Sequence, residues 1–179
     1  MWPFSKSQPV AASGILCEMT DYHSHILPGV DDGVKTMNES LQILAEMKHQ
    51  GVRKVWFTPH IMEDIPNTNA GLRERFQELK EKFRKPEDAY CGTVELNLAA
   101  EYMMDNLFAK RLEADDLLPI YEGGYRYLLV ETTGFTPPMN LLPVLKRIQT
   151  KGYRPLLAHP ERYLYTVSYT HLTLPTIRL

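Results

Sequence analysis

Five short apolar runs alternate along the chain with segments whose apolar residues recur every three or four positions. Runs of this length are typical of buried strands, while the three-to-four spacing is typical of amphipathic helices. The predicted strands cover residues 19–23, 52–58, 94–100, 127–130 and 155–158. A chain of 179 residues with 44% hydrophobic content can bury one sizeable core, so we expect one α/β domain.

Helix signals follow four of these runs. The first predicted helix begins at an Asn38 N-cap and stops at Gly51, which suits the left-handed conformation that ends many helices. The other predicted helices cover residues 72–83, 103–112 and 141–151. Repeated strand–helix–strand order favours a parallel sheet, because parallel neighbours need a crossover and a helix is the usual one. An open doubly wound sheet and a closed barrel both fit this order, but no Gly-rich nucleotide-binding fingerprint follows the first strand.

Histidine or carboxylate side chains stand at the end of every predicted strand. They are His23 and His25 at the first, His60 at the second, Glu101 at the third, Glu131 at the fourth and His159 at the fifth. In a parallel sheet the carboxyl ends of the strands share one edge, where α/β proteins build their sites. Imidazole nitrogen and carboxylate oxygen together suit Zn, Mn or Fe. The pattern therefore predicts a metal site.

Each of these side chains also has an ordinary explanation when it is considered singly. A lone histidine is often a surface or structural residue, and a glutamate at a strand end can cap a helix N-terminus. Asp32 lies in an Asp-Asp-Gly turn and offers further oxygen ligands, although such a turn needs no metal. Arg162 can clamp a phosphate bidentately or can form a surface ion pair. Histidine or carboxylate at all five strand ends favours the metal site over these separate explanations. We therefore take Asp32 and Arg162 as candidate catalytic residues.

Charge and composition exclude several classes of partner. The 20 Lys and Arg against 22 Asp and Glu give a net charge of −2, and no basic run suits a nucleic acid. No apolar run approaches the roughly 20 residues that span a bilayer, and residues 1–16 lack the pattern of a signal peptide. Two cysteines cannot form a disulfide framework. We expect a cytoplasmic protein with no nucleic-acid partner and no membrane insertion.

Five stretches of the sequence carry a family resemblance. They are DYHSHILPGVDDG at 21–33, TPH at 58–60, AEY at 100–102, LVE at 129–131 and LAHPERY at 157–163. With them the chain resembles the polymerase and histidinol phosphatase (PHP) superfamily over about residues 19–165. Within it, the first and last stretches resemble the bacterial manganese-dependent tyrosine phosphatases of capsule and exopolysaccharide clusters.

The resemblance implies a distorted (β/α)7 barrel that holds two to three divalent ions in a cleft at its rim. The implied ligand sets are His23, His25 and Glu101 for one metal, Glu101, Glu131 and His159 for a second, and Asp32 with His60 for part of a third. Such clusters generate hydroxide from bound water and clamp phosphoryl oxygens, so that the ester is hydrolysed by in-line attack. Arg162 matches an arginine that helps to bind the phosphate.

The resemblance implies Mn as the metal, with Zn or Fe as alternatives, and phosphotyrosine on a bacterial capsule or exopolysaccharide tyrosine kinase as the substrate. A PHP phosphoesterase acting on a small ester such as histidinol phosphate is an alternative, and so is a non-catalytic metal-binding regulatory module. A cysteine-dependent phosphatase is excluded, because the position six residues after each cysteine holds His23 or Asn97 instead of arginine.

The expected organisation has three parts. They are a flexible leader over residues 1–16, a partial PHP barrel of about five βα units over 17–165, and a tail over 166–179 that does not resemble the family. The Asp-x-His that closes the family's site has no counterpart, because no aspartate follows residue 116. We therefore expect a C-terminally truncated barrel whose activity is impaired.

Overall fold

The computed structural model describes residues 14–83, 94–134 and 140–167. The strands are β1 (Thr20–Ser24), β2 (Lys54–Phe57), β3 (His60–Ile61), β4 (Glu95–Leu98), β5 (Glu101–Met103), β6 (Ile120–Glu122), β7 (Tyr125–Glu131) and β8 (Arg154–Leu157). The helices are α1 (Met37–His49), α2 (Asn69–Phe83), α3 (Asn106–Ala114), α4 (Leu141–Thr150) and α5 (Leu164–Val167), with a 3₁₀ helix at Pro160–Arg162. The α/β class and all five predicted strands are confirmed.

The contacts between Cα atoms divide the chain into two compact units. One comprises Met1–Pro59 and Leu72–Leu98, and the other comprises His60–Gly71 and Ala99–Leu179. Each unit contains one sheet. The parallel arrangement predicted for the five principal strands is confirmed, and the described strands are divided between two sheets.

The sheet of the first unit is entirely parallel, with the order β1–β2–β4. Val55, Trp56 and Phe57 are buried in succession, as expected for a parallel strand covered on both faces. The ring of Phe57 meets Phe76 of α2 edge to face at a centroid distance of 5.2 Å. Leu72 and Leu79 of α2 are also fully buried, so α2 contributes one stripe of apolar side chains to this core.

Helix α1 begins earlier than predicted, at a capping box. The Thr36 hydroxyl oxygen accepts a hydrogen bond from Glu39 N–H, and the Glu39 carboxylate accepts one from Thr36 N–H. This reciprocal pair satisfies two backbone donors that have no partner inside the helix, so Thr36 and not Asn38 is the N-cap. The predicted end is confirmed, since Gly51 follows the helix with a φ of 88°.

The sheet of the second unit is centred on β7. Strand β8 pairs with residues 127–130 of β7, while β6 pairs with residues 125–127 and β5 with residues 129–131. Strand β3 extends the sheet beyond β5. All of these pairs are parallel except that between β6 and β7, which are antiparallel neighbours joined by Gly123 and Gly124. Both glycines have positive φ, as a tight hairpin turn of this kind requires.

Three short strands were not predicted. His60 and Glu101 do not simply follow their apolar runs, because each begins a two- or three-residue strand, β3 or β5. The third is β6, which makes the sheet mixed where a parallel one was predicted. The predicted start of α3 at residue 103 is also wrong: Met103 belongs to β5, and Asp105 caps the helix by accepting Phe108 N–H at 2.8 Å.

The remaining predictions concern the other helices and the chain termini. Helix α2 begins three residues before the predicted residue 72, and α4 agrees with its prediction to within one residue. Among the described residues, no helix combines the length and apolar character that crossing a membrane requires. The predicted leader up to residue 13 and the predicted tail from residue 168 lie outside the described ranges.

Candidate metal centre

Four of the predicted ligands meet at one place in the second unit. The ladder between β3 and β5 sets His60 opposite Glu101, and the ladder between β5 and β7 sets Met103 opposite Glu131. His159 comes two residues after the end of β8, which also pairs with β7. Parallel pairing therefore gathers side chains that are up to 99 positions apart in the sequence, as the strand-end pattern predicts.

Each imidazole of this group faces both carboxylates. Nδ1 of His60 lies 3.3 Å from Oε2 of Glu101 and 3.2 Å from Oε1 of Glu131. Nε2 of His159 lies 3.0 Å from Oε1 of Glu101 and 3.6 Å from Oε2 of Glu131. We call His60, Glu101, Glu131 and His159 the quartet.

Burial makes the charge of the quartet significant. Glu101 is fully buried and Glu131 is 7% exposed, so two neighbouring carboxylates are removed from water when the chain folds. Burying ionised groups is unfavourable unless they are paired or bind a metal. A histidine that binds a metal is uncharged, so in a metal site the two carboxylates leave a negative charge that one divalent cation balances. The quartet is therefore a site at which a cation is electrostatically favoured.

The spacing of the donor atoms also fits a metal. Bonds from a transition metal to imidazole nitrogen or carboxylate oxygen are about 2.0–2.2 Å long, which sets neighbouring ligand atoms about 2.8–3.6 Å apart. The four nitrogen–oxygen distances in the quartet run from 3.0 to 3.6 Å. The ligand atoms of His60, Glu101 and Glu131 all lie within 4.8 Å of one another. The residues present thus fit a metal of the class that accepts nitrogen and oxygen ligands.

The backbone at His159 is strained in a way that suits a functional residue. Its φ of 31° and ψ of 56° lie in the left-handed region, which residues other than glycine seldom occupy. The ring of Tyr163 packs against its imidazole at a centroid distance of 5.7 Å. Tyr163 is itself held by Thr132, whose N–H donates to the phenol oxygen at 3.3 Å, and burial raises the pKa of Tyr163 to about 12. These contacts fix the histidine beside the two glutamates.

The first unit contains a second group of candidate ligands. Strand β1 ends in His23 and Ser24, and His25 follows, so the two histidines project from positions two residues apart. Their Nε2 atoms are 3.1 Å apart, again a separation that two ligands of one metal adopt. On its other side, Nδ1 of His25 lies 2.8 Å from Oδ2 of Asp31, whose side chain is fully buried.

The two candidate catalytic residues occupy exposed positions. Asp32 is exposed in the turn after β1. Arg162 is exposed at the end of the 3₁₀ helix, where its N–H donates to the carbonyl of His159 at 2.9 Å. The catalytic roles of Asp32 and Arg162 stay predictions. The single centre that the sequence predicts for all the ligands also stays a prediction, because the quartet and the His23–His25 pair belong to different units.

Sequence reasoning missed two acidic residues that support the histidines. The sequence predicts only a turn at Asp31, whereas in the structure its carboxylate contacts His25. Asp21 accepts the N–H of His23 at 3.1 Å, and burial raises the pKa of its carboxyl while that hydrogen bond opposes the shift. The sequence signal for Asp31 is a carboxylate close to a candidate histidine ligand, because histidines that bind metals commonly donate their second ring N–H to a carboxylate.

Comparison with known proteins finds relatives among the tyrosine-protein phosphatases. The chain is 30% identical over 148 residues to the tyrosine-protein phosphatase YwqE of Bacillus subtilis, covering 80% of this chain and 55% of the relative. It is 32% identical over 146 residues to the tyrosine-protein phosphatase CpsB of Streptococcus pneumoniae, covering 81% and 58%. The chain thus spans little more than half the length of the curated relatives it matches.

A solved structure agrees with these sequence matches. It comes from the crystal structures of YwqE and CpsB, described as unique metal-dependent tyrosine phosphatases, and it superimposes with a TM-score of 0.70 at 27% identity, over 84% of this chain and 59% of that one. The family model for capsular polysaccharide synthesis proteins of the CpsB/CapC type matches residues 19–173. The chain therefore belongs to the CpsB/CapC family of capsular polysaccharide synthesis.

Proposed function

We propose that this chain is a metal-dependent phosphoester hydrolase that removes phosphate from phosphotyrosine. The observation that carries the proposal is the quartet, in which two buried carboxylates and two imidazoles present donor atoms at the spacing of metal ligands. A cation bound there would supply a hydroxide nucleophile from water and positive charge for the phosphoryl oxygens. The named activity of the relatives YwqE and CpsB supports the same reaction.

Different residues of the chain would bind the metal and the phosphate. Glu101 and Glu131 bind the cation, and their burial keeps bulk water from competing for them. His60 and His159 complete the ligand set through the ring nitrogens that already face the carboxylates. Arg162, exposed three residues after His159, would bind phosphate oxygens through its planar guanidinium.

His23, His25 and Asp32 are the further ligands that we propose, held in the first unit. The Nε2 atoms of the two histidines are spaced as metal ligands, and Asp32 lies in the turn that follows them. We infer Mn as the metal from the resemblance described above, with two to three ions in the complete site. Zn and Fe take the same ligand types, so metal analysis of the purified chain is the direct check.

The substrate that we propose is phosphotyrosine on a tyrosine kinase of capsule or exopolysaccharide synthesis. Support comes from the family, whose description is capsular polysaccharide synthesis, and from the relatives' names. The proposed place of action is the cytoplasm.

Phosphate release from a phosphotyrosine peptide, with and without added Mn²⁺, tests the proposal. The informative variant is His159→Asn, because asparagine tolerates the left-handed backbone at this position while the imidazole is lost. The matched control is His49→Asn, which changes an exposed histidine at the end of α1. We expect Mn²⁺-dependent hydrolysis in the parent chain and in the control, and a large loss in His159→Asn.

Other outcomes would replace the proposal. Equal activity of His159→Asn and the parent chain would show that the quartet does not carry the reaction. Faster turnover of histidinol phosphate than of the peptide would assign the chain to small phosphate esters. Mn²⁺ binding without hydrolysis of either compound would favour a non-catalytic metal-binding module.

A further inference from the structure

The loop that follows β1 closes on His25 through its backbone. The carbonyl of His25 accepts the N–H of Val34 at 2.9 Å, and Gly29 N–H donates to the carbonyl of Val34 at 2.8 Å. Gly33 sits so close to His25 that an added Cβ would lie 2.1 Å from its carbonyl oxygen. Only glycine fits at this position, so the loop is packed tightly against the histidine.

Asp31 is the side chain that this packing brings to the imidazole. Its Oδ2 lies 2.8 Å from Nδ1 of His25, and its Oδ1 accepts Gly33 N–H at 3.0 Å. The side chain is fully buried, whereas that of His25 is 24% exposed. Lys35 fixes the same residue from outside, because its Nζ donates to the carbonyl of Asp31 at 2.7 Å. Both carboxylate oxygens of Asp31 therefore have defined partners.

This contact determines which ring nitrogen of His25 carries the proton. An ionised carboxylate can only accept hydrogen bonds, so Nδ1 of His25 must be the donor. In the neutral imidazole Nε2 is then unprotonated and offers its lone pair. Nε2 is the atom that lies 3.1 Å from Nε2 of His23. The hydrogen bond on one side of the ring thus prepares the opposite side as a ligand.

We propose that Asp31 is a positioning residue that holds His25 in the Nδ1–H tautomer and aims Nε2 at a metal. The inference rests on the proposed function, since it assumes that His23 and His25 bind a metal. It goes beyond that function by giving a specific task to the first aspartate of the Asp-Asp-Gly turn. Residues that orient a ligand in this way commonly contribute about ten- to hundredfold to metal affinity.

Asp31→Asn is the discriminating substitution. The amide offers one acceptor oxygen, and the present contacts need two, one for Gly33 N–H and one for His25 Nδ1–H. If the oxygen stays on Gly33, the amide nitrogen faces His25 and donates to Nδ1. That arrangement favours the Nε2–H tautomer, in which the ligand atom is blocked by a proton.

Nitrogen-15 NMR of the imidazole rings tests the proposal on the metal-free parent chain. We expect His25 to carry its proton on Nδ1 at a pH where the ring is neutral. A proton on Nε2 in the parent chain would overturn the proposal, whatever the chain's activity. This measurement needs no variant, so a folding failure of Asp31→Asn cannot obscure it.

Titration with Zn²⁺, which is diamagnetic, then follows the His25 ring signals in the variants. We expect Asp31→Asn to shift the tautomer and to weaken Zn²⁺ binding at His25 about ten- to hundredfold. The control is Glu74→Gln, which makes the same charge change on an exposed residue of α2 and should keep the parent affinity. Equal affinity of Asp31→Asn and the parent chain would overturn the proposal, while absence of Zn²⁺ and Mn²⁺ binding in the parent would count against the proposed function.

Discussion

His60 and Glu101 are direct partners in the ladder between β3 and β5, and Nδ1 of His60 lies 3.3 Å from Oε2 of Glu101. The two-residue strand β3 is thus enough to place two candidate ligands side by side, because its backbone pairing sets the separation of the side chains. Glu131 joins the pair from β7, the next strand of the sheet. The geometry of these candidate ligands is therefore a property of strand register within the second unit.

Metal binding should stabilise the folded chain through Glu101. A ligand at one hundred times its Kd adds about 2.7 kcal/mol to the free energy of unfolding, which for a chain of this size raises Tm by about 5 to 10 °C. We expect Mn²⁺ to produce such a rise in the parent chain and in Glu74→Gln, but not in Glu101→Gln. Differential scanning calorimetry with Mn²⁺ or with a chelator measures it, and a full rise in Glu101→Gln would contradict the assignment of Glu101 as a ligand.

Arg162→Ala should weaken the reaction and leave metal binding intact. A hydrogen bond to a charged group contributes about 1.5–3 kcal/mol, so kcat/KM for a phosphotyrosine peptide should fall about ten- to hundredfold. The Mn²⁺ affinity, measured by calorimetric titration, should stay at the parent value. Arg73→Ala, an exposed arginine of α2, is the control and should retain full activity. A loss of metal affinity in Arg162→Ala would show that the arginine acts on the fold instead of the phosphate.

Thr36→Ala should destabilise the chain by about 1 kcal/mol, the usual effect of losing an N-cap side chain. The control is Asn38→Ala. The sequence predicts Asn38 as the cap, but the structure places this residue inside α1, so the variant should be nearly as stable as the parent chain. Urea unfolding monitored by circular dichroism measures both values. Equal losses of unfolding free energy in the two variants would contradict the assignment of Thr36 as the N-cap.

The same capping box should make stability depend on pH. Hydrogen bonds from Thr36 hold the pKa of Glu39 below its ordinary value of 4.5. The folded state therefore gains stability above pH 4.5 and loses it as the pH falls through the lower pKa of the folded chain. In Thr36→Ala this part of the pH profile should be flatter, and an unchanged profile would show that the box does not form.

Gly33→Ala should be strongly destabilising, because its Cβ would lie 2.1 Å from the carbonyl oxygen of His25. Overpacking of this kind typically lowers the free energy of unfolding by up to about 3 kcal/mol. Gly71→Ala is the matched control, since the nearest atom to its Cβ is the Thr68 hydroxyl oxygen at 3.2 Å, on a side chain that can move. Urea unfolding of both variants measures the difference. Comparable stability of the two would mean that the loop can leave His25 without penalty.

Alkaline pH should destabilise the chain partly through Tyr163. Its pKa is raised by burial from 10.0 to about 12, so between these values the unfolded chain loses this proton while the folded chain keeps it. Stability should therefore fall as the pH rises from about 10 to 12. Tyr163→Phe should reduce that slope but not abolish it, because burial also raises the pKa of Tyr153 to about 12. Urea unfolding at several alkaline pH values, with a chelator present, makes the measurement.

Hydrophobic pattern was enough to predict the α/β class, the five principal strands and the ends of α1 and α4, because these follow from short-range periodicity and from glycine conformation. It failed at β3 and β5, which are too short to carry a periodic signal. It failed at β6 for a different reason: Gly123 and Gly124 between two short aromatic segments are a recognisable hairpin signal, but the expectation of a parallel sheet left no place for an antiparallel strand.

The sequence by itself determined the identity of the quartet, since its four residues stand at predicted strand ends. Only the tertiary structure decided that each imidazole faces both carboxylates, and that Asp31 contacts His25. The reason is physical. Residue type and strand position depend on local chemistry, whereas distances of about 3 Å between side chains depend on strand register and loop packing, which involve residues far apart in the chain.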